Sequence, residues 1–160
     1  MSVSLSFREA QDYDAKIIYE WFCDPVTRSN SYQQEPVSYS IHEAWFYARI
    51  RRSGEPFLIF YLSEQPDQLT GMVRIDLKNE GPVIGINLAP EQRGKGYASE
   101  MLRMAVAWFY QISPDAPPLR AWIMKKNIAS QRAFISAGFV ADHDAEIAGI
   151  PSSLFLYHHP

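Results

Sequence analysis

Cysteine is nearly missing: among 160 residues only Cys23 carries a thiol, which excludes a disulfide framework and a multi-thiolate zinc site and fits a reducing compartment. A basic surplus is missing too. Fifteen Lys and Arg stand against eighteen Asp and Glu, a formal net charge of −3, so no phosphate-backbone partner is advertised and nucleic acid is not expected. No window approaches the roughly eighteen consecutive apolar residues of a membrane span, and residues 1–20 lack the apolar core of a leader. The chain is expected in the cytoplasm, away from membranes. His42, His143, His158 and His159 show no ligand spacing, so no metal is expected. Repeats, low-complexity tracts and composition shifts are absent as well, so residues 1–160 read as one domain. What is present is a core: 47% of residues are hydrophobic and 21% charged, the balance of a globular protein.

Periodicity divides the chain into strands and helices. Alternation over Ser4–Arg8 predicts a first strand, and Ile17, Ile18, Trp21 and Phe22 fall on one stripe of a helix that Pro25 stops. Residues 24–39 read as irregular. Ser40 and Glu43 have the spacing of a capping box for a helix ending at Gly54. Phe57–Leu62 and Met72–Leu77 read as paired strands, with Gln65-Pro66-Asp67 and Gly71 punctuating the connection, and Val83–Leu88 as a third strand that Gly85 weakens. Ala98, Met101, Leu102, Ala105, Val106 and Phe109 follow helical spacing without a miss. A strand over Leu119–Met124, a helix over Ile128–Ala137 closed by Gly138, a strand from Phe139 and a last strand over Ser153–His158 complete the order.

The most informative stretch joins a strand to that long helix through Pro90-Glu91-Gln92-Arg93-Gly94-Lys95-Gly96-Tyr97-Ala98. Glycines at a strand-to-helix turn bring backbone N–H groups and the positive helix end up to an anion, with Arg93 and Lys95 adding charge. A pyrophosphate or phosphate ester is the natural occupant. GxxxxGK[ST] is absent, as are the third glycine and downstream acid of a dinucleotide fingerprint.

Thirty residues on, Asn127-Ile128-Ala129-Ser130-Gln131-Arg132-Ala133-Phe134-Ile135-Ser136-Ala137-Gly138-Phe139 resembles the NxxSxxxxxxxGF helix of the GNAT superfamily of acyl-CoA-dependent N-acyltransferases, and Arg93-Gly94-Lys95-Gly96 resembles its RGxG loop. Together, in this order, they extend the resemblance over essentially the whole chain. It implies an α+β, three-layer fold with a mixed, mostly antiparallel sheet of about seven strands and about four helices. It also implies acetyl-CoA as co-substrate, its pyrophosphate on the amides of Arg93, Gly94, Lys95, Gly96, Tyr97 and Ala98. The pantetheine arm would run beside Asn87, Leu88 and Ala89, with Asn127, Ser130 and Phe134 on the other side.

Transfer of an acetyl group to an amine requires a neutral nucleophile, a stabilised oxyanion and a protonated leaving thiolate. The resemblance implies oxyanion stabilisation by a backbone N–H near Leu88. Where many family members place a proton-donating tyrosine this chain has Phe134, so Tyr97, Tyr110 or, as the catalytic candidate, Tyr157 would reach in, or the thiolate would take its proton from water. For the general base, Asp76 shares a strand face with Arg74, and His42 has a suitable ordinary pKa. Trp21, Asp24, Arg28 and the His42-x-x-Trp45 pair look similar to acetyltransferases of nucleotide-linked amino sugars in pseudaminic-acid-type pathways. That likeness implies Arg28, Trp45 and Arg74 as acceptor contacts and a small-molecule amine as partner. A protein N-terminal or lysine acetyltransferase and a non-catalytic acyl-CoA sensor are the alternatives, and a homodimer is compatible with each.

Overall fold

Near-continuous apolar runs in the central strands, such as the buried Phe57–Phe60, give this protein a sheet with two apolar faces, each covered by helices. The computed structural model describes residues 3–160. Its seven strands are β1 (Leu5–Glu9), β2 (Phe57–Leu62), β3 (Gln65–Lys78), β4 (Gly81–Leu88), β5 (Leu119–Met124), β6 (Val140–Ile147) and β7 (Ile150–Tyr157), in the spatial order β1-β2-β3-β4-β5-β7-β6. Every neighbouring pair is antiparallel except β4 and β5. The helices are α1 (Ala15–Cys23), α2 (Pro25–Ser29), α3 (Tyr39–Ile50), α4 (Tyr97–Ile112) and α5 (Ile128–Ser136). Odd positions of β3, Val73 and Ile75, pack with Leu102, Val106 and Phe109 of α4. Met72, from the other face, packs with Ile18, Trp21 and Phe46 of α1 and α3.

The expected mixed, mostly antiparallel sheet with helices on both sides is what forms, and five helices take the place of about four. The extra one is α2, inside the segment expected to be irregular. Asp24 caps it by accepting from Thr27 N at 3.1 Å, and Pro25 opens it. Proline lacks only an N–H that a first turn leaves unbonded, so the residue that stops α1 also starts α2. The expected capping box at Ser40 shifts: Ser38 is the N-cap of α3 and accepts from Ile41 N at 3.4 Å. Gln65-Pro66-Asp67 belongs to β3, because the hairpin turns at Ser63-Glu64 with Leu62 opposite Gln65. The exposed overhang of β3 tolerates a proline that a central ladder would not. Gly71 has a packing reason: a Cβ there would overlap the Asn87 carbonyl.

Among the described residues no helix is long and apolar enough to cross a membrane, and no group of three or more His, Cys, Asp or Glu side chains could hold a metal ion.

Candidate active site

A gap in the middle of the sheet defines the site. β4 and β5 run parallel but share a single register pair, Val83 with Arg120, and diverge beyond it. Backbone direction along β4 follows from one bond: Ala89 N donates to Thr70 O at 2.9 Å, so Leu88 and Gly71 are a non-hydrogen-bonded pair. With side-chain and amide direction alternating along a strand, the N–H groups of Leu88 and Ile86 turn away from β3 toward the gap. Those of Asn87 and Ala89 turn toward β3. This corrects two expectations: the Asn87 and Ala89 backbones are committed to the sheet, Ala89 O also accepting from Gln92 N at 2.9 Å, and only Leu88 of the three offers its amide. Ile86 is the residue the sequence reading omitted, although strand periodicity applied to Leu88 would have found it.

The glycine loop sits at the open end of the gap. Gly94 and Gly96 have φ of +74° and +80°, and a Cβ on either would meet no protein atom within 4 Å. Among the described residues no acceptor meets the amides of Gly94, Lys95, Gly96, Tyr97 and Ala98, which open the sixteen-residue α4. Free N–H groups, an empty approach and the positive end of a long helix together fit a diphosphate. Lys95 stands beside it, its Nζ 3.0 Å from Gln92 Oε1. Arg93 differs from expectation. Its guanidinium donates to Asp24 Oδ2 at 2.5 Å and to Thr27 Oγ1 at 2.9 Å, and its amide leans on Pro90 O at 3.4 Å. Arg93 thus fastens the loop to α2, and its guanidinium holds the Asp24 carboxyl below its ordinary pKa.

On the β5 side, Asn127 caps α5 by accepting from Ser130 N at 3.2 Å, which accounts for the spacing of that pair structurally while leaving both partly exposed at the end of β5. Phe134 is a core residue, 2% exposed and 4.9 Å from Phe139 between ring centroids, and it has no proton to give. Tyr157 is corrected as proton donor: it pairs with Leu119 at the far end of β5 and packs on Phe139 and Tyr110. Tyr110 is engaged as well, donating to Pro117 O and accepting from Leu119 N, each at 3.1 Å.

On the face under α1–α3, the Asn87 side chain points over the gap; its Oδ1 accepts from Thr27 Oγ1 at 3.1 Å, whereas its buried Nδ2 has no partner. Arg74 lies across Gly85 with its guanidinium 5.4 Å from the Trp45 ring. Three sequence candidates have other duties. Asp76 Oδ1 accepts from Arg49 Nε at 2.8 Å, and its register partner Val83 is at the closed end of the gap, so it is not placed to act as base. His42 is 4% exposed, with Nε2 2.9 Å from Ala15 O and Phe46 stacked on its ring, because α3 starts at Tyr39 and turns this position inward. Arg28 donates to Glu35 O at 2.9 Å and Gln33 O at 3.3 Å, bracing the loop after α2 rather than facing a phosphate.

Burial lowers the His42 pKa from its ordinary 6.5, with the Ala15 contact opposing. A depressed histidine pKa means that the unfolded chain binds the extra proton, so this stability is present above about pH 6.5 and falls as the pH drops through that value. Chemical denaturation of His42→Gln between pH 5 and 7 is expected to show a flatter stability profile than the wild type.

The Acetyltransferase (GNAT) domain family matches residues 4–140. This chain belongs to that family. It is an acetyl-CoA-dependent N-acetyltransferase. The uncharacterized N-acetyltransferase YfmK of Bacillus subtilis is 27% identical over 140 residues, 85% of each chain. The spermidine N-acetyltransferase of Vibrio cholerae, solved with coenzyme A and spermine, superposes with a TM-score of 0.82 at 17% identity, over 95% of this chain and 94% of that one. The aminoglycoside acetyltransferase AAC(6')-Ib, solved with coenzyme A, gives 0.79 at 15% identity, over 96% and 94%. These two likenesses speak for the fold. In this acetyltransferase, Thr27 reaches Asn87 of β4 and Tyr32 reaches Ser152 of β7 without any local sequence signal, since these contacts span 60 and 120 residues of chain.

Proposed function

We propose that this acetyltransferase acylates a small-molecule primary amine that also carries an anionic group, of which a nucleotide-linked amino sugar is an example. The observation that carries the reading is Arg74. It stands partly exposed on the acceptor face against Trp45, and the nearest carboxylate, Asp76, is 3.6 Å from it and held by Arg49. Two guanidinium groups therefore share one carboxylate, and burial lowers the Arg74 pKa from the ordinary arginine value. An arginine keeps its charge in such a place and gains from an anion. Arg74 is opposite Gly85, three residues or about 10 Å along β4 from Leu88, a span that suits an amine and a phosphate or carboxylate on one small molecule.

In this reading the amides of Gly94–Ala98 hold the diphosphate, and the Leu88 amide pairs with the pantetheine arm. The Ile86 amide, deeper in the gap, donates to the thioester oxygen as negative charge develops. Asn87 Nδ2, lacking a protein partner, is free to meet an acceptor oxygen. Water bound at the face takes the ammonium proton, since neither Asp76 nor His42 reaches it. With one thiol, no basic surplus and acetyl-CoA as donor, we place the activity in the cytoplasm. Release of coenzyme A should be measured with nucleotide-linked amino sugars, spermidine, kanamycin and short peptides as acceptors. The anionic class is expected to react fastest, and Arg74→Met to raise its KM about tenfold or more, the value of one charge-assisted hydrogen bond. Preference for spermidine or a peptide, with KM indifferent to Arg74, would defeat this acceptor assignment.

A further inference from the structure

A glycine inside β4 and a half-exposed tryptophan on β5 face one another across the gap, and neither is accounted for by packing. We propose that Gly85 and Trp122 seat a ring carried by the acceptor, Gly85 as its floor and Trp122 as the aromatic wall opposite Arg74, so that the enzyme selects cyclic amines. The proposal rests on the acceptor-face reading above and narrows it.

Two residues beyond the Val83–Arg120 pair, Gly85 and Trp122 stand at the same level on opposite walls, about 7 Å along the strands. Ile84 and Ile86 of β4, like Ala121 and Ile123 of β5, belong to the core under α4. Gly85 and Trp122 alternate with them and turn to the other face, where Arg74 lies across Gly85. Beyond Trp122 the same row continues through Leu154 of β7 to His143 of β6.

The rows on either side are closed. Toward the tight end Val83 pairs with Arg120, and Asp76 is held by Arg49. Toward the mouth, residues 27–32 run from Asn87, whose Oδ1 accepts from Thr27 Oγ1 at 3.1 Å, to Ser152, whose Oγ is 2.6 Å from the Tyr32 hydroxyl. Met124, the register partner of Ser152, is 1% exposed beneath that crossing. Trp122 is only half-buried and joins neither apolar cluster. The Gly85–Trp122 row is therefore the opening on this face, one residue along β4 from the Ile86 amide.

Gly85 has no left-handed φ, and a Cβ there would meet only Arg74 Cγ and Nε within 4 Å, each at an ordinary 3.9 Å. Backbone and neighbours would thus accept a side chain, and what the glycine keeps is space above β4 for a close approach. Trp122 is braced from the far side by His143, ring centroids 5.8 Å apart and planes at 85°. Without the β-bulge between Ala141 and His143, Asp142 would oppose Leu154 and the histidine would turn to the other face. The bulge brings it to Trp122, and Asp142 Oδ2 holds its Nδ1 at 2.5 Å. A sugar-type ring can lay its C–H face on such an indole while an anionic substituent meets Arg74, whereas an open-chain amine offers the indole little area.

Trp122→Leu, Gly85→Val and the milder Gly85→Ala should be compared with wild type by circular dichroism, coenzyme A calorimetry and coenzyme A release with the acceptors above. For nucleotide-linked amino sugars and kanamycin, which carry rings, KM is expected to rise about tenfold in Trp122→Leu, the value of one aromatic stack, and further in Gly85→Val. Gly85→Ala should fall between wild type and Gly85→Val. The KM for spermidine, an open chain, and the affinity for coenzyme A should stay within twofold of wild type. Ring-acceptor KM unchanged in Trp122→Leu, or in both Gly85 variants, overturns the proposal. So does an equal rise for spermidine, a loss confined to coenzyme A affinity, or a wild-type enzyme that prefers spermidine to every ring acceptor. The anion reading fails separately: ring acceptors sensitive to Trp122→Leu but indifferent to Arg74→Met would remove the phosphate or carboxylate and leave the ring seat standing.

Discussion

Replacing Gly96 by glutamate is expected to abolish acetyl-CoA binding in calorimetry while the protein stays folded by circular dichroism. At φ +80° a non-glycine residue meets a left-handed backbone strain of about 1–2 kcal/mol, a fraction of a domain's stability. The open approach over the loop removes any further steric cost, since a Cβ there meets no protein atom within 4 Å. A carboxylate in that space stands where the diphosphate belongs. At about 4 Å and an effective dielectric of about 20, two like charges repel by about 4 kcal/mol, close to a thousandfold in affinity. Gly96→Ala separates the contributions: it carries the strain and part of the bulk without the charge, and it should retain measurable affinity. Unchanged affinity in Gly96→Glu would remove the anion site, and with it the placement of the acyl donor.

The second large effect concerns Asp76 and Arg49. Arg49 is 1% exposed and sends its guanidinium to Asp76 Oδ1 at 2.8 Å, Glu55 O at 2.8 Å, Ile75 O at 2.9 Å and Pro56 O at 3.3 Å. The cluster ties the end of α3 to the strands beside it. Arg49→Met strips three carbonyls and a carboxylate of their donor, and breaking such a buried charge pair costs about 3–5 kcal/mol. For a chain of this size that is a fall in Tm of roughly 10 °C. Asp76→Asn keeps the shape, removes the charge, and is expected to lose about half as much. Its turnover per folded molecule should equal wild type, because Asp76 lies at the closed end of the gap. A Tm unaffected by Asp76→Asn together with a steep loss of kcat would restore it as general base.

The contrast between Asp76 and Leu88 shows where sequence reasoning holds and where it stops. Leu88 came from the resemblance of the RGxG loop, and the direction of its amide then follows from one bond to β3 and alternation along the strand. Asp76 was chosen on the same alternation, and its face was right. What alternation cannot reveal is that a buried arginine from a helix 27 residues earlier occupies that carboxylate. Arg28 and Arg93 repeat the lesson. Their charges suggest phosphate contacts, and both are engaged with protein acceptors, Arg28 with loop carbonyls and Arg93 with Asp24 and Thr27.

By itself the sequence determined most of the strands, the long α4 and the glycine turn in front of it, because periodicity, helix ends and glycine positions are local properties of a chain, while the mixed sheet was implied by the family resemblance. The tertiary structure decided which amides face the gap and which charges are already paired. Those outcomes depend on contacts between residues far apart in the chain, and such contacts leave no periodicity to read.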